Sequence, residues 1–346
     1  MKKVIFAEVV VLAVLLVIAI VLCVNLVKNP VSDQAQPPAI QAGPGETQIP
    51  EETTEATEPQ PTWLVHEDGR ELLAKQYFVY DVKNEKFLTI SGQENETIYP
   101  ASVTKLFTCY VALQYLKADE VLTVGNELDM VVWGSSVADL RKGDKLTVSQ
   151  LVEAMLLPSG NDAAYVLAAN AGRRILKDEN ADFMYAVVVF MEEMNSQVEE
   201  LGMINTHFAN PDGIHSNDHF SCFSDLAQLA AMSIKDETIM KNAVIATDTV
   251  TFVERGQFVG EVDPDNENTG DTVKWKNTNE LINPNSKYYC PYATGLKTGQ
   301  TPYAGSCLLS SFDYEGTQYI IGVFGCPEKD DRFDDTLQLF NETINS

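Results

Sequence analysis

Three separated stretches of this chain pair residue types that could carry out acyl transfer at a carbonyl. In Ser102-Val-Thr-Lys105, directly after Tyr99-Pro100-Ala101, a hydroxyl and an amine stand three residues apart. On a helix those positions share a face, so the amine can reach the hydroxyl. A serine hydroxyl is a poor nucleophile until a base takes its proton. Lysine serves as that base if burial or a neighbouring cation lowers its pKa. A helix starting at Ser102 would also aim backbone N–H groups at developing oxyanion charge. In Ser159-Gly160-Asn161, a tight turn could point a hydroxyl and an amide into one cleft, Ser159 to relay a proton and Asn161 to hold Lys105 and a substrate carbonyl. In Lys297-Thr298-Gly299, a cation, a hydroxyl and unobstructed backbone suit a ligand with a free carboxylate laid alongside as an added strand. A side chain at Gly299 would block that approach. Each stretch alone also fits ordinary structure: Ser102 as a helix cap, 159–161 as a helix–turn–helix link, 297–299 as an exposed strand end.

The surrounding pattern indicates what must position them. Short strand-like runs at 78–81 and 87–91 flank the turn Lys83-Asn84-Glu85. Leu106, Cys109, Tyr110, Leu113 and Leu116 then fall on one helical face. Thr147 with Gln150 makes a capping box before Leu151, Ala154 and Met155, and Pro158 stops that helix. Residues 182–201 form another amphipathic helix, with Gly202 placed to end it. Strands follow at 305–312, into which the third stretch runs, and at 318–324. A closing helix carries Phe333, Leu337, Phe340 and Ile344. Strands at both ends with helices between predict one α+β unit whose first and last segments share a sheet.

With 346 residues, 45% hydrophobic and 21% charged, the chain can bury a core, which excludes collagen-like, coiled-coil and wholly disordered classes. Its 50 acidic and 24 basic residues give a net charge of −26, which repels nucleic acid and anionic lipid. Residues 9–27 carry no charge and as a helix would extend about 28 Å, close to a bilayer's hydrocarbon thickness. Lys2, Lys3 and Lys28 flank the run, and no further basic residue appears before Arg70. We therefore expect 1–28 to be a cytoplasmic stub and single-pass anchor, in preference to a cleaved leader or lipidation at Cys23, with the remainder exported. Residues 29–64, rich in proline and acidic side chains, read as an extended spacer, and 65–346 as the folded domain. The six cysteines have no metal-ligand spacing and one lies in the apolar run; a complete disulfide framework is excluded, one or two bridges are not.

Order and neighbours remove the ambiguity of the single motifs. The S-x-x-K, S-x-N and K-T-G set, with Phe208-Ala-Asn-Pro-Asp-Gly-Ile-His215, Phe223-Ser-Asp-Leu-Ala-Gln-Leu-Ala230 and Asn277-Thr-Asn-Glu-Leu281, resembles the low-molecular-weight serine D-alanyl-D-alanine carboxypeptidases over about 70–346. That resemblance implies a β-lactamase/transpeptidase-like domain: an antiparallel sheet flanked by helices, plus a helical lobe. It implies Ser102 as nucleophile, Lys105 as general base and Ser159 as proton relay to the leaving amine. Asn161 would orient lysine and peptide, Lys297 and Thr298 would bind the substrate's terminal carboxylate, and Gly299 would leave the strand edge open to the substrate. The backbone N–H groups of Ser102 and Gln300 would form the oxyanion hole. The implied substrates are peptidoglycan stem peptides ending in D-Ala-D-Ala, the implied inhibitors β-lactams, and the implied place a bacterial membrane with the catalytic domain outside. Lys297 near Lys105 supplies a physical reason for a depressed lysine pKa. The family's usual further β-rich domain is not expected, because residues after Gly299 leave room for two strands and a closing helix.

No cofactor or metal is implied. His207, Asp212, His215, Asp218 and His219 crowd one stretch, but the family-like loop accounts for them without a metal. Cys109 fits a buried position in the apolar stripe better than a reactive thiol. A β-lactamase is the nearest rival, but no E-x-x-L-N segment lies between Asn161 and Lys297. A non-catalytic muropeptide or β-lactam receptor would not need to keep a nucleophile with its base.

Overall fold

The computed structural model describes residues 71–256 and 271–346. The expected membrane span and spacer lie outside the described residues, and among the described residues no helix is long and apolar enough to cross a membrane. One antiparallel sheet organises the rest. Its strands are β1 (Gln76–Asp81), β2 (Lys86–Ile90), β7 (Ala293–Thr301), β8 (Gly305–Tyr314) and β9 (Thr317–Cys326), in the order β2-β1-β9-β8-β7. β1 pairs with β9, so the first and last strands do share the sheet. Residues 293–301 form a separate strand and do not simply lead into β8. A hairpin joins the two, which makes β7 an edge of the sheet.

Side-chain alternation sorts the sheet's residues onto two cores. Phe78, Leu309 and Ile320 face the helical lobe, while their neighbours Val79, Leu308 and Ile321 face the opposite side. There α7 (Asp331–Ile344) lays down Phe333, Leu337 and Phe340, with Phe340 stacked on Phe312 at 4.3 Å between ring centroids. Burying side chains of this size contributes about 1.5–3 kcal/mol each.

The helical lobe comprises α1 (Lys105–Tyr115), α2 (Val148–Leu156), α3 (Asn161–Leu176), α4 (Phe183–Glu200), α5 (Phe223–Ser233) and α6 (Glu237–Ala243). Thr147 and Gln150 cap α2 reciprocally, as their spacing predicts, and Asp182 caps α4 through the N–H groups of Met184 and Tyr185. Gly202 follows α4 at φ 73°, a left-handed conformation that suits a residue without a side chain. The alanine-rich α3 is buried along most of its length. Two small ladders, β3 (Val121–Thr123) with β4 (Lys145–Thr147) and β5 (Thr247–Thr251) with β6 (Thr272–Lys276), edge the lobe.

Candidate active site

The nucleophile turn begins with strain. Ala101 adopts φ 49°, unusual for a residue with a side chain, and residues Ala101–Thr104 form one turn of 3-10 helix ahead of α1. Three residues per turn bring positions i and i+3 into register, so Ser102 and Lys105 stand one above the other. The Lys105 amine donates to Ser102 Oγ at 2.9 Å, to Asn161 Oδ1 at 2.7 Å and to the Asp212 carbonyl at 2.6 Å. Ser102 Oγ donates to the same carbonyl at 3.3 Å. Lys105 is 0% exposed. Burial pushes its pKa down to about 8, against the opposing pull of the Asp212 and Asp162 carboxylates. Burial is thus the main reason for the depression. The cationic repulsion expected from the sequence is prominent instead at Lys297, whose pKa is held well below the lysine range by burial and then by Lys105 and Arg332.

Pro158 ends α2 and the chain turns through Ser159, which is buried at φ 64°. Asn161 then opens α3, its N–H donating to the Ser136 carbonyl at 2.8 Å while its side chain reaches Lys105. The neighbouring Asp162 carboxylate accepts from the N–H groups of Ala138 and Leu140, tying the 136–140 loop to the start of α3. Ser159 makes no side-chain hydrogen bond to Ser102 or Lys105; among the described residues it is joined to the cluster through the turn alone.

Lys297, Thr298, Gly299 and Gln300 lie consecutively on β7, the first three buried and Gln300 exposed. Lys297 Nζ donates to the Thr298 carbonyl at 3.1 Å, and the hydroxyls of Thr298 and Thr278 are 2.6 Å apart. Gly299 is required by something nearer than a ligand. A Cβ there would sit 2.8 Å from the Pro100 carbonyl and 3.1 Å from the Ser102 nitrogen, so only glycine lets this strand touch the nucleophile turn.

Several further contributors have no role assigned from the sequence. The Asp212 carbonyl receives both Lys105 and Ser102, and Gly213, at φ 85°, packs so closely that a Cβ would lie 2.0 Å from the Ala101 oxygen. Arg332 on α7 donates to the Gly299 carbonyl at 3.3 Å and adds a buried cation beneath β7. His219 bonds Thr104 Oγ1 through Nε2 at 2.7 Å and accepts from the Ala209 N–H at Nδ1. Burial presses its pKa down to about 3, so it is neutral. Thr104 in turn donates to the Ala101 carbonyl. Among the described residues no cluster of three or more His, Cys, Asp or Glu side chains could hold a metal ion. The five cysteines there are free, and Cys109 is fully buried with its thiol pKa raised by burial.

A serine–lysine pair backed by an asparagine turn, with a lysine–threonine–glycine edge strand beside it, places the fold among the penicillin-binding and transpeptidase proteins. The chain belongs to the D-alanyl-D-alanine carboxypeptidase family, peptidase family S11, whose pattern it matches over residues 62–328. It is 30% identical over 245 residues to a D-alanyl-D-alanine carboxypeptidase of Bacillus subtilis, covering 69% of this chain and 54% of that protein. The chain therefore spans about half the length of that relative. The crystal structure of the Streptomyces K15 DD-transpeptidase is similar with a TM-score of 0.69 and 28% identity, covering 80% of this chain and 99% of that one. Penicillin-binding protein D2 from Listeria monocytogenes, in its ampicillin-bound form, is similar with a TM-score of 0.59 and 26% identity, covering 78% of this chain and 97% of that one.

Proposed function

We propose that the chain is a serine-type D-alanyl-D-alanine carboxypeptidase that trims peptidoglycan stem peptides. The observation that carries this reading is the buried contact of Lys105 with both Ser102 and Asn161. At pH 7.5, a lysine with a pKa of about 8 is neutral in about a quarter of molecules, against about one in a thousand at the ordinary value. Neutral Lys105 takes the Ser102 proton as Oγ attacks the carbonyl between the two terminal D-alanines. The N–H groups of Ser102 and Gln300 receive the oxyanion. The carbon–nitrogen bond then breaks, and the proton passes from Lys105 through Ser159 to the departing D-alanine amine. Water cleaves the resulting ester and restores Ser102. Lys297, Thr298 and the nearby Arg332 hold the terminal carboxylate. Penicillins acylate Ser102 by the same steps. The uncharged run at 9–27 supports single-pass anchoring, with the catalytic domain outside the bacterial membrane.

The likeness to a DD-transpeptidase favours a second fate for the acyl-enzyme, capture by an amine in place of water. The deciding experiment follows D-alanine release from diacetyl-Lys-D-Ala-D-Ala by the full chain and by Ser102→Ala. Release by the first and none above background by the second is expected; equal release would remove Ser102 from the mechanism. Added glycine or D-alanine amine acceptors report the transfer branch.

A further inference from the structure

Behind the nucleophile turn, three hydrogen bonds run in one direction. The Ala209 N–H donates to His219 Nδ1 at 3.2 Å, His219 Nε2 lies 2.7 Å from Thr104 Oγ1, and that oxygen lies 2.7 Å from the Ala101 carbonyl. A main-chain N–H is always a donor, so Nδ1 is the accepting nitrogen of the ring. The ring is neutral, which puts its proton on Nε2. Nε2 therefore donates to Thr104 Oγ1, and the hydroxyl directs its own proton to the Ala101 carbonyl. Thr104 and His219 are both buried, so water does not compete for these bonds.

The carbonyl at the end of this chain belongs to the peptide that joins Ala101 to Ser102. Ala101 is held in a left-handed conformation, φ 49°, that its side chain disfavours. A trans peptide is planar, with its C=O and N–H pointing in opposite directions. Whatever fixes the direction of the Ala101 carbonyl thus also fixes the direction of the Ser102 N–H. Gly213 packs on the same bond: a Cβ there would lie 2.0 Å from the Ala101 oxygen and 2.8 Å from the Ser102 nitrogen. That contact restrains where the peptide sits, and the Thr104 hydroxyl restrains which way it faces.

Resting on the carboxypeptidase reading, in which the Ser102 N–H receives the oxyanion, we infer that His219 and Thr104 are positioning residues that act through the Ala101 carbonyl to aim that N–H. The test acylates the full chain with benzylpenicillin isotopically labelled at the β-lactam carbonyl. It reads the ester carbonyl band by infrared difference spectroscopy beside the acylation rate. A hydrogen bond weakens the carbonyl double bond, so a well-aimed N–H lowers its frequency. Thr104→Val keeps the shape and removes the hydroxyl. It should slow acylation by about 10- to 100-fold at unchanged non-covalent affinity and move the band to higher frequency. Thr104→Ser should restore both. His219→Phe, which keeps a ring beside Phe208, should shift the band the same way and add nothing to Thr104→Val in the double variant. A role confined to stability would lower Tm and leave the band in place. An unshifted band in Thr104→Val, or two effects that simply add, overturns this proposal alone, and Thr104→Val decides it even where His219→Phe does not fold. Absence of any adduct on Ser102 in the unaltered chain overturns the carboxypeptidase reading and the proposal with it.

Discussion

A charged lysine has three N–H donors, and Lys105 finds three acceptors: Ser102 Oγ, Asn161 Oδ1 and the Asp212 carbonyl. The nearby Asp212 and Asp162 carboxylates also favour the protonated form, while burial opposes it and prevails. Removing an acceptor therefore moves the balance further toward the neutral amine. In Asn161→Ala the rising limb of the acylation pH profile should shift to lower pH, even though the rate falls because substrate and lysine lose their common guide; a shift to higher pH would contradict this account. Lys105→Gln keeps a polar side chain but no base and should cost about 10²–10⁴-fold in acylation rate. At this scale the sequence was informative about Ser102, Lys105 and Asn161, which meet as their types suggested, but not about the Arg332 side chain beneath Gly299. It was silent about the Asp212 carbonyl, since every residue carries one, and about the contact of Thr278 with Thr298, since a hydroxyl pair leaves no spacing rule.

At the scale of elements, glycine marks where two segments must nearly touch. Gly299 allows β7 to lie against the Pro100–Ser102 turn, and Gly299→Ala should depress acylation of Ser102 by benzylpenicillin while the far-UV circular dichroism stays unchanged. Gly172 does the same between helices: a Cβ there would sit 1.9 Å from the Ala186 carbonyl, where α3 crosses α4. Glycine to alanine within a helix ordinarily stabilises by about 1 kcal/mol. Here overpacking should dominate, costing about 1–3 kcal/mol and lowering Tm, which differential scanning calorimetry would show. A raised Tm would mean that the helices separate freely. Helices with strong end signals, α2 and α4 above all, were legible to within a residue or two of their ends. Residues 297–299 read as a strand edge running into β8, but the full separate strand 293–301 was not legible, because Gly295, Gly299 and the buried Lys297 break the alternation that announces a strand.

Across the whole molecule, the two ends of the described chain lock one sheet between two cores. The first strand pairs with the last, and α7 both covers the sheet's outer face and brings Arg332 under Gly299. Deleting residues 331–346 should abolish soluble folded protein, because Phe312, Ile321 and Val323 would lose their cover. Recovery of a folded, penicillin-reactive truncation would show that the helical lobe stands alone. The shared sheet was legible because strand patterns open and close the folded region. The distances among three motifs nearly two hundred residues apart were not, since long-range packing is set by the sum of many contacts.

The central claim is that a neutral, buried Lys105 deprotonates Ser102, and the most direct test is the rate of covalent benzylpenicillin addition to Ser102 between pH 5.5 and 9.5, followed by intact-protein mass spectrometry. The rate should climb with pH and level off with an apparent pKa near 8, matching the depressed lysine, and Lys105→Gln should lose that limb together with most of the rate. A rate independent of pH across this range, or an undiminished adduct on Ser102 in the glutamine variant, would contradict it.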